Sequence, residues 1–406
     1  MSVGIEAIHA YCGRASMDGD LLATERRLNQ ARFANLLMRR KSVTLPWEDP
    51  VSYAVNAAKP LIDALSADER HSIELLIVAT ESGVDWGKSI ATYVHAALGL
   101  APHCRLFEIK QACYGGTAAL QMAAATVTAS PRPIRALVIA TDLGRPVPHS
   151  YAEPSQGSAA VALLVGADPV ILALEPGASG VHGYEVMDAC RPTPEIETGD
   201  ADLSLLSYLD CMEKSFLAYQ ARVPGRDFQD GFDYLACHTP FGGMVKGAHR
   251  TMMRKFKRVP PAIVEADFER RVRPSLRYCQ EVGNIYSGTV FLALCGVLAG
   301  LSAPARIGLF SYGSGCCSEF YSGTADLAAA AAIARTGLDA ALAGRHPLSM
   351  PEYEAVVART RDGLVGARTA AVDAAGFEHI WRTQFEDRQL LVLAGIDNYH
   401  RTYRWS

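Results

Sequence analysis

Residues 105–120 read RLFEIKQACYGGTAAL, and the order of residue types within them points to the architecture. An apolar-rich run suited to a strand leads into Cys113, two glycines follow, and small residues begin a helix. Strand, reactive residue and helix in that order make a joint of an α/β fold, where a strand delivers a side chain to the rim of the core. A thiol at the start of a helix feels the positive end of the backbone dipole, which favours thiolate and makes Cys113 a candidate nucleophile. Gly115 and Gly116 are expected to let a substrate approach the backbone closely. The plain alternative is one more buried cysteine.

Outward from this joint, strand-like runs at 73–80 (IELLIVAT), 135–141 (RALVIAT) and 159–166 (AAVALLVG) alternate with helix-like runs at 89–100 and 117–129. That alternation predicts βαβ units around a largely parallel, buried sheet. The second half repeats the theme, with strands at 233–240 (DYLACHTP) and 306–315 (RIGLFSYGSG) and helices at 243–255 and 286–300. A chain of 406 residues exceeds one average domain, so the length fits two closely joined halves or one large α/β unit; two halves are expected, residues 1–168 with Cys113 and Glu81 and residues 169–406 with His238, Asn284 and the C-terminal helices. RPTPEIETGDAD at 191–202 reads as a turn-rich surface bridge. The Ala-rich segment 326–344 predicts a helix. Ser349 and Glu352 have capping-box spacing, with Pro351 in the first turn, so another helix should start there.

Composition narrows the function. A net charge of −4 argues against a dominant nucleic-acid surface. The ten cysteines show neither a CxxC pair nor a zinc-site spacing, and the start MSVGIEAIHAYCG has no basic segment followed by an apolar export core. No motif suggests a metal or an organic cofactor, and a reducing cytoplasm is the expected compartment. The longest apolar run, 289–303, is shorter than the ~18–20 residues of a membrane span and reads as a buried helix.

Four further positions carry chemistry. His238 ends the strand DYLACHTP ahead of Pro240, which suits a side chain projecting into a cleft; it is a candidate base or carbonyl-oxygen donor, or a satisfied structural histidine. Glu81 follows IELLIVAT where a buried strand opens onto a loop. A partly desolvated carboxylate there can have a raised pKa and remove a carbon-bound proton near neutrality, although an ordinary surface acid would fit equally. Asn284 in GNIYSG and Ser311 in SYGSG could donate hydrogen bonds to carbonyl oxygens that gain negative charge, or could serve turns. The vicinal pair Cys316-Cys317 reads as structural.

ATESGVDWGKS, EIKQACYGGTAAL, AEPSQGSAAVALLVG, CHTPFGGMVKGAHR, GNIYSG and LFSYGSG occur in this order along the chain. Together they resemble the 3-hydroxy-3-methylglutaryl-CoA synthase family over nearly the whole length. The resemblance implies a thiolase-like fold, with two related halves in an αβαβα arrangement, and a homodimer. It implies Cys113 as the acetylated nucleophile and Glu81 as the acid/base that forms the acetyl enolate. His238 would polarise the acceptor's β-carbonyl, Asn284 and Ser311 would hold acyl oxygens, and Tyr114, Asp142 and Asp188 would support them. Enolate attack on a β-ketoacyl thioester, followed by hydrolysis of the enzyme thioester, would give a 3-hydroxy-3-carboxymethyl acyl chain.

Members that use CoA carry a lysine five residues after the catalytic histidine, where this chain has Gly243. YEVMDACRPTPE, SYLDCMEKSFLAYQ, FGGMVKGAHRTMMRK and SYGSGCCSEFYSG look instead like the branch that works in polyketide β-branching. That branch implies donor and acceptor acyl carrier proteins, whose phosphopantetheine carries the substrates, followed by a dehydratase and a decarboxylase of the crotonase type. Lys246, Arg250, Arg254 and Arg258 recur every four residues, so they are expected on one helix face as a docking stripe for an anionic carrier, against the plain reading of a solvated face. Rival readings are a CoA-dependent synthase of isoprenoid precursor synthesis, a ketoacyl synthase of the Cys-His-Asn kind, and an inactive homologue kept as a carrier-binding scaffold.

Overall fold

The computed structural model describes residues 2–150, 152–194 and 196–406; Glu195, within the stretch expected to bridge elements on the surface, lies outside them. Its frame is a nine-stranded sheet in the order Tyr234–Cys237, Ala305–Gly313, Cys317–Ala325, Leu172–Gly183, Gly4–Tyr11, Ser158–Gly166, Arg135–Leu143, Ile73–Ala79, Arg105–Ile109. The strands of residues 4–166 meet those of 172–325 at two residue pairs, Gly4 with Ala173 and Ile5 with Leu172. Gly4 permits that seam, since a Cβ there would stand 2.1 Å from the Leu172 carbonyl oxygen.

The expected largely parallel sheet is corrected to a mixed one. Ile73–Ala79 runs parallel to both Arg105–Ile109 and Arg135–Leu143, and Tyr234–Cys237 runs parallel to Ala305–Gly313; the remaining joins are antiparallel. Connection length decides this. Ala305–Gly313 reaches Cys317–Ala325 through a tight turn, which can only return the chain antiparallel, whereas parallel neighbours need a crossover.

Side-chain alternation sorts the strands into two sides. Leu75, Ile77 and Ala79 point into a central core, while Leu76 and Val78 point outward under the helices Pro50–Asp63 and Ala91–Leu98. In the second half Ile307 and Leu309 join the same central core, while Phe310 and Tyr312 face helices Ala201–Arg222 and Gly242–Phe256. The central core also holds both buried helices, Gly115–Ala129 and Thr289–Ala299. The layers therefore run helix, sheet, helix, sheet, helix, as in thiolase-like folds. The apolar run at 289–303 forms the expected buried helix, and no helix among the described residues is long and apolar enough to cross a membrane.

Two expectations about the C-terminal elements are resolved. The Ala-rich stretch is two helices, Leu327–Arg335 and Leu338–Ala343, because Gly337 takes a left-handed backbone (φ 68°) between them. The helix Met350–Thr360 starts as expected, with the Glu352 carboxylate accepting from Ser349 N at 2.8 Å and Ser349 Oγ at 2.6 Å.

Candidate active site

Parallel pairing brings the chemistry together. Ala79 stands in register with Ile109, and Thr80 N donates to Ile109 O at 3.1 Å, so residues 81 and 113 leave the sheet at the same end. The pair Tyr234–Cys237 and Ala305–Gly313 ends in the same way at His238, whose N donates to Phe310 O at 2.7 Å. Glu81, Cys113, His238 and Asn284 all line one cavity of about 390 Å³. The carboxyl ends of parallel strands open there, the usual place for a ligand in such sheets.

Cys113 is reached through a tight turn in which Ala112 has a left-handed backbone (φ 42°), Tyr114 N donates to Gln111 O and Gly115 N to Ala112 O. Its Sγ lies 3.6 Å from Glu81 Oε1. The dipole of the following helix does not decide the state of the thiol. Burial, and next the negative Glu81, push its pKa well above the usual range, so it rests protonated. Glu81 is the matching acceptor: burial lifts its pKa to about 7, and the Arg191 guanidinium limits the rise. A carboxylate half-ionised at neutrality beside a neutral thiol can take the thiol proton, or a proton from an acetyl methyl group held there.

His238 is almost wholly buried, its carbonyl accepts from Tyr208 Oη at 2.7 Å, and its Nδ1 makes no hydrogen bond within the chain. Burial depresses its pKa to about 3, so the imidazole is neutral and offers one N–H donor and one acceptor without a charge. Asn284 Oδ1 accepts from Tyr286 N at 2.9 Å and Thr289 Oγ1 at 3.0 Å, which leaves its amide NH₂ for the cavity.

Two aspartates brace this set. Asp142 is buried and accepts from Thr80 Oγ1, Glu81 N, Ser82 Oγ and Ser287 Oγ at 2.7–3.0 Å, joining the Glu81 strand end to the turn after Asn284. Asp188 accepts from Tyr312 Oη at 2.5 Å and Gly315 N at 2.8 Å.

Several expected contributors sit elsewhere. Ser311 is fully buried and does not line the cavity, its Oγ without a hydrogen bond, and Tyr312 and Ser314 line the wall. The Tyr114 ring turns away, its hydroxyl donating to Glu319 at 2.8 Å. Gly243 faces the chain itself: a Cβ there would meet Asn35 O at 1.9 Å. Gly116 likewise serves packing rather than substrate approach, because its Cβ would stand 2.4 Å from Ser287 O. Arg258 lies beyond the helix Gly242–Phe256 with a left-handed backbone, so the basic stripe is three residues, not four. Of these Lys246 is already paired with Glu265 at 2.5 Å, whereas Arg250 and Arg254 are exposed.

The stretch at 191–202 is not merely a surface bridge. Ala189–Thr193 and Ile196–Gly199 form a hairpin that carries Arg191 and Glu197 into the cavity wall. Arg191 donates to Glu197 at 2.8 Å and to Tyr286 Oη at 3.0 Å. Sequence reasoning missed this trio, and the available signal was a cation and an anion inside a proline-rich turn, which reads as solvated until the sheet places it.

Comparison with known proteins follows from this geometry. The family model of the hydroxymethylglutaryl-coenzyme A synthase N-terminal region matches residues 1–170, and that of the C-terminal region matches residues 251–371. The chain is 51% identical to a polyketide biosynthesis 3-hydroxy-3-methylglutaryl-ACP synthase of Bacillus subtilis, over 100% of this chain and 99% of that one. It is 34% identical to the hydroxymethylglutaryl-CoA synthase of Enterococcus faecalis, over 100% of both. Among solved structures, the HMG synthase of the curacin biosynthetic pathway, in complex with acetyl donor-ACP, superposes with a TM-score of 0.97 at 52% identity, covering 100% of both chains.

Proposed function

The chain belongs to the hydroxymethylglutaryl-coenzyme A synthase family, and on that footing we propose that it condenses an acetyl group with a β-ketoacyl thioester carried on an acyl carrier protein, as a β-branching enzyme of polyketide synthesis. The observation that carries this reading is the cavity shared by Cys113, Glu81 and His238, in which a neutral thiol touches a carboxylate whose pKa is about 7.

In the proposed reaction Glu81 takes the thiol proton as Cys113 sulfur attacks the acetyl thioester of the donor carrier. The pantetheine sulfur leaves and takes that proton from Glu81, which is again a carboxylate. Glu81 then removes a proton from the acetyl methyl, and the enolate carbon bonds to the acceptor's β-carbon. The alkoxide formed there takes up the proton that Glu81 removed from the methyl group, with neutral His238 donating a hydrogen bond to the oxygen. Water finally cleaves the Cys113 thioester, giving a free carboxylate and the resting thiol. The NH₂ of Asn284 suits an acyl oxygen, and Arg191 moderates the basicity of Glu81 from the hairpin.

Carrier protein rather than CoA as the donor is supported by the higher identity to carrier-dependent relatives and by Gly243. A lysine at that position would need room that the Asn35 carbonyl occupies. Arg250 and Arg254 on the exposed side of the helix that starts beside Pro240 are the proposed contacts for the acidic carrier. A homodimer, a dehydratase and a decarboxylase of the crotonase type acting next, no metal or organic cofactor for this reaction, and a cytoplasmic setting complete the reading. The ten cysteines standing as free thiols suit that compartment.

The test is intact-protein mass spectrometry of the enzyme mixed with acetyl-loaded carrier protein or with acetyl-CoA. Acetylation from the carrier, lost in Cys113→Ala, is expected. Equal or faster labelling from acetyl-CoA would move the assignment to a CoA-dependent synthase, and no labelling from either would leave only a carrier-binding scaffold.

A further inference from the structure

We propose that His346, Glu352 and His379 form a binding site for a divalent transition metal of the zinc class, separate from the Cys113 cavity. Nε2 of His379 stands 2.8 Å from Oε1 of Glu352, and Nε2 of His346 stands 3.5 Å from the same oxygen. The ligand atoms of all three lie within 4.8 Å of one another. Tetrahedral Zn²⁺ with bonds of about 2.0–2.2 Å spaces its ligand atoms roughly 3.3 Å apart. The observed separations bracket that spacing, so small side-chain rotations complete the site.

A second observation points to a ligand. Nε2 of His346 is shielded from solvent and makes no hydrogen bond within the chain. Buried polar atoms ordinarily have a partner, and an imidazole nitrogen facing a carboxylate and a second imidazole is satisfied by a cation between them. The two rings meet at 69° with centroids 5.4 Å apart, so they approach from different directions, as separate ligands would.

The fold holds the donors independently of any ion. His346 belongs to the short strand paired with Ala15–Ser16, and its N donates to Arg14 O at 2.8 Å. Glu352 is fixed because its Oε2 is engaged by Ser349, which leaves Oε1 for the imidazoles. His379 sits in the first turn of the helix Glu378–Gln384 and is open to solvent, giving the ion a way in. Two imidazole nitrogens with one carboxylate oxygen suit Zn²⁺ better than the all-oxygen preference of Ca²⁺ or Mg²⁺. None of the three lines the cavity of Cys113. The ion is therefore a staple between a strand and two helices of the C-terminal region, with water in its fourth position. The spacing of these residues along the chain, 346, 352 and 379, matches no short metal motif.

The experiment is isothermal titration of ZnCl₂ into chelator-stripped full-length protein carrying Cys113→Ala, which removes the cavity thiol as a competing ligand. One saturable equivalent is expected, together with a rise in Tm of about a few degrees at saturation. Both should disappear in His379→Ala and in His346→Ala. Glu352→Gln, which can still accept the Ser349 cap, should weaken uptake while the circular dichroism spectrum is unchanged. Absence of saturable uptake, or uptake undiminished in the double His346→Ala/His379→Ala protein, would overturn the site. Neither result touches Cys113 acetylation, so the proposed reaction stands or falls separately.

Discussion

Glu81 Oε1 and Cys113 Sγ lie 3.6 Å apart, although 31 residues and a helix separate them in the chain. The contact exists because two parallel strands end together, and it couples the proton inventory of the site. The thiol is held neutral first by its burial and next by the negative charge of the same carboxylate that can receive its proton.

Glu81→Gln should lower kcat for condensation by roughly 10²–10⁴-fold, the range for loss of a general base. In the parent, activity should climb through about pH 7 as Glu81 ionises, because its folded pKa is near that value. The limb should vanish from the residual activity of Glu81→Gln and persist in His238→Ala, because the parent's imidazole is already neutral across this range. Steady-state pH profiles of the three proteins check this; a limb near 7 that moves with His238 would assign the base wrongly.

The same substitution should stabilise the fold at alkaline pH. A carboxyl whose folded pKa is raised binds its proton more tightly when native, so its ionisation costs stability as pH rises from about 4.5 to 7, and the cost persists above. Removing the charge should recover on the order of 1–2 kcal/mol at pH 8 and nothing below about pH 4.5, the partial exposure of Glu81 keeping the gain modest. Denaturant melts at the two pH values measure it.

Gly116→Ala should destabilise by about 1–3 kcal/mol, the range for overpacking a tight core. Its Cβ would press on the Ser287 carbonyl oxygen at 2.4 Å and on Phe291 at 2.9 Å, backbone and ring that are both buried. An unchanged Tm would show that the turn after Asn284 yields.

Gly243→Lys should fail to create a CoA site. The Cβ at 1.9 Å from Asn35 O forces the segment around residue 35 to move, so lower stability without faster acetylation by acetyl-CoA is expected. Thermal melts with a labelling time course separate the two effects.

Arg250→Glu with Arg254→Glu should raise KM for carrier-bound substrate about tenfold or more at low salt, less at high salt, and spare a pantetheine mimic. Equal losses on both substrates would remove these arginines from docking.

The order strand, reactive residue, helix at 105–120, and its counterpart ending at His238, were legible because period-two and helical patterns are local, and so is the capping box at Ser349. The same locality misled at three places. Gly115-Gly116 looked like room for a substrate, yet Gly116 meets a carbonyl 171 residues later, and nothing near it in the chain announces Ser287. Lys246 to Arg258 kept helical spacing past Phe256, where the helix ends, so Arg258, whose own backbone is left-handed, left the face. A dipole argument favoured thiolate at Cys113, but desolvation and a negative neighbour, both products of packing, outweigh it.

What the sequence determined, then, was which segments pair with water and which with each other, and which residues have the chemistry to react. Only the tertiary structure decided strand direction, because that depends on how each connection closes. It alone carried Arg191 and Glu197 on a polar hairpin to the cavity, and it alone set Glu81 near 7 and His238 near 3, because a pKa is fixed by what is buried against the group and not by what adjoins it in the chain.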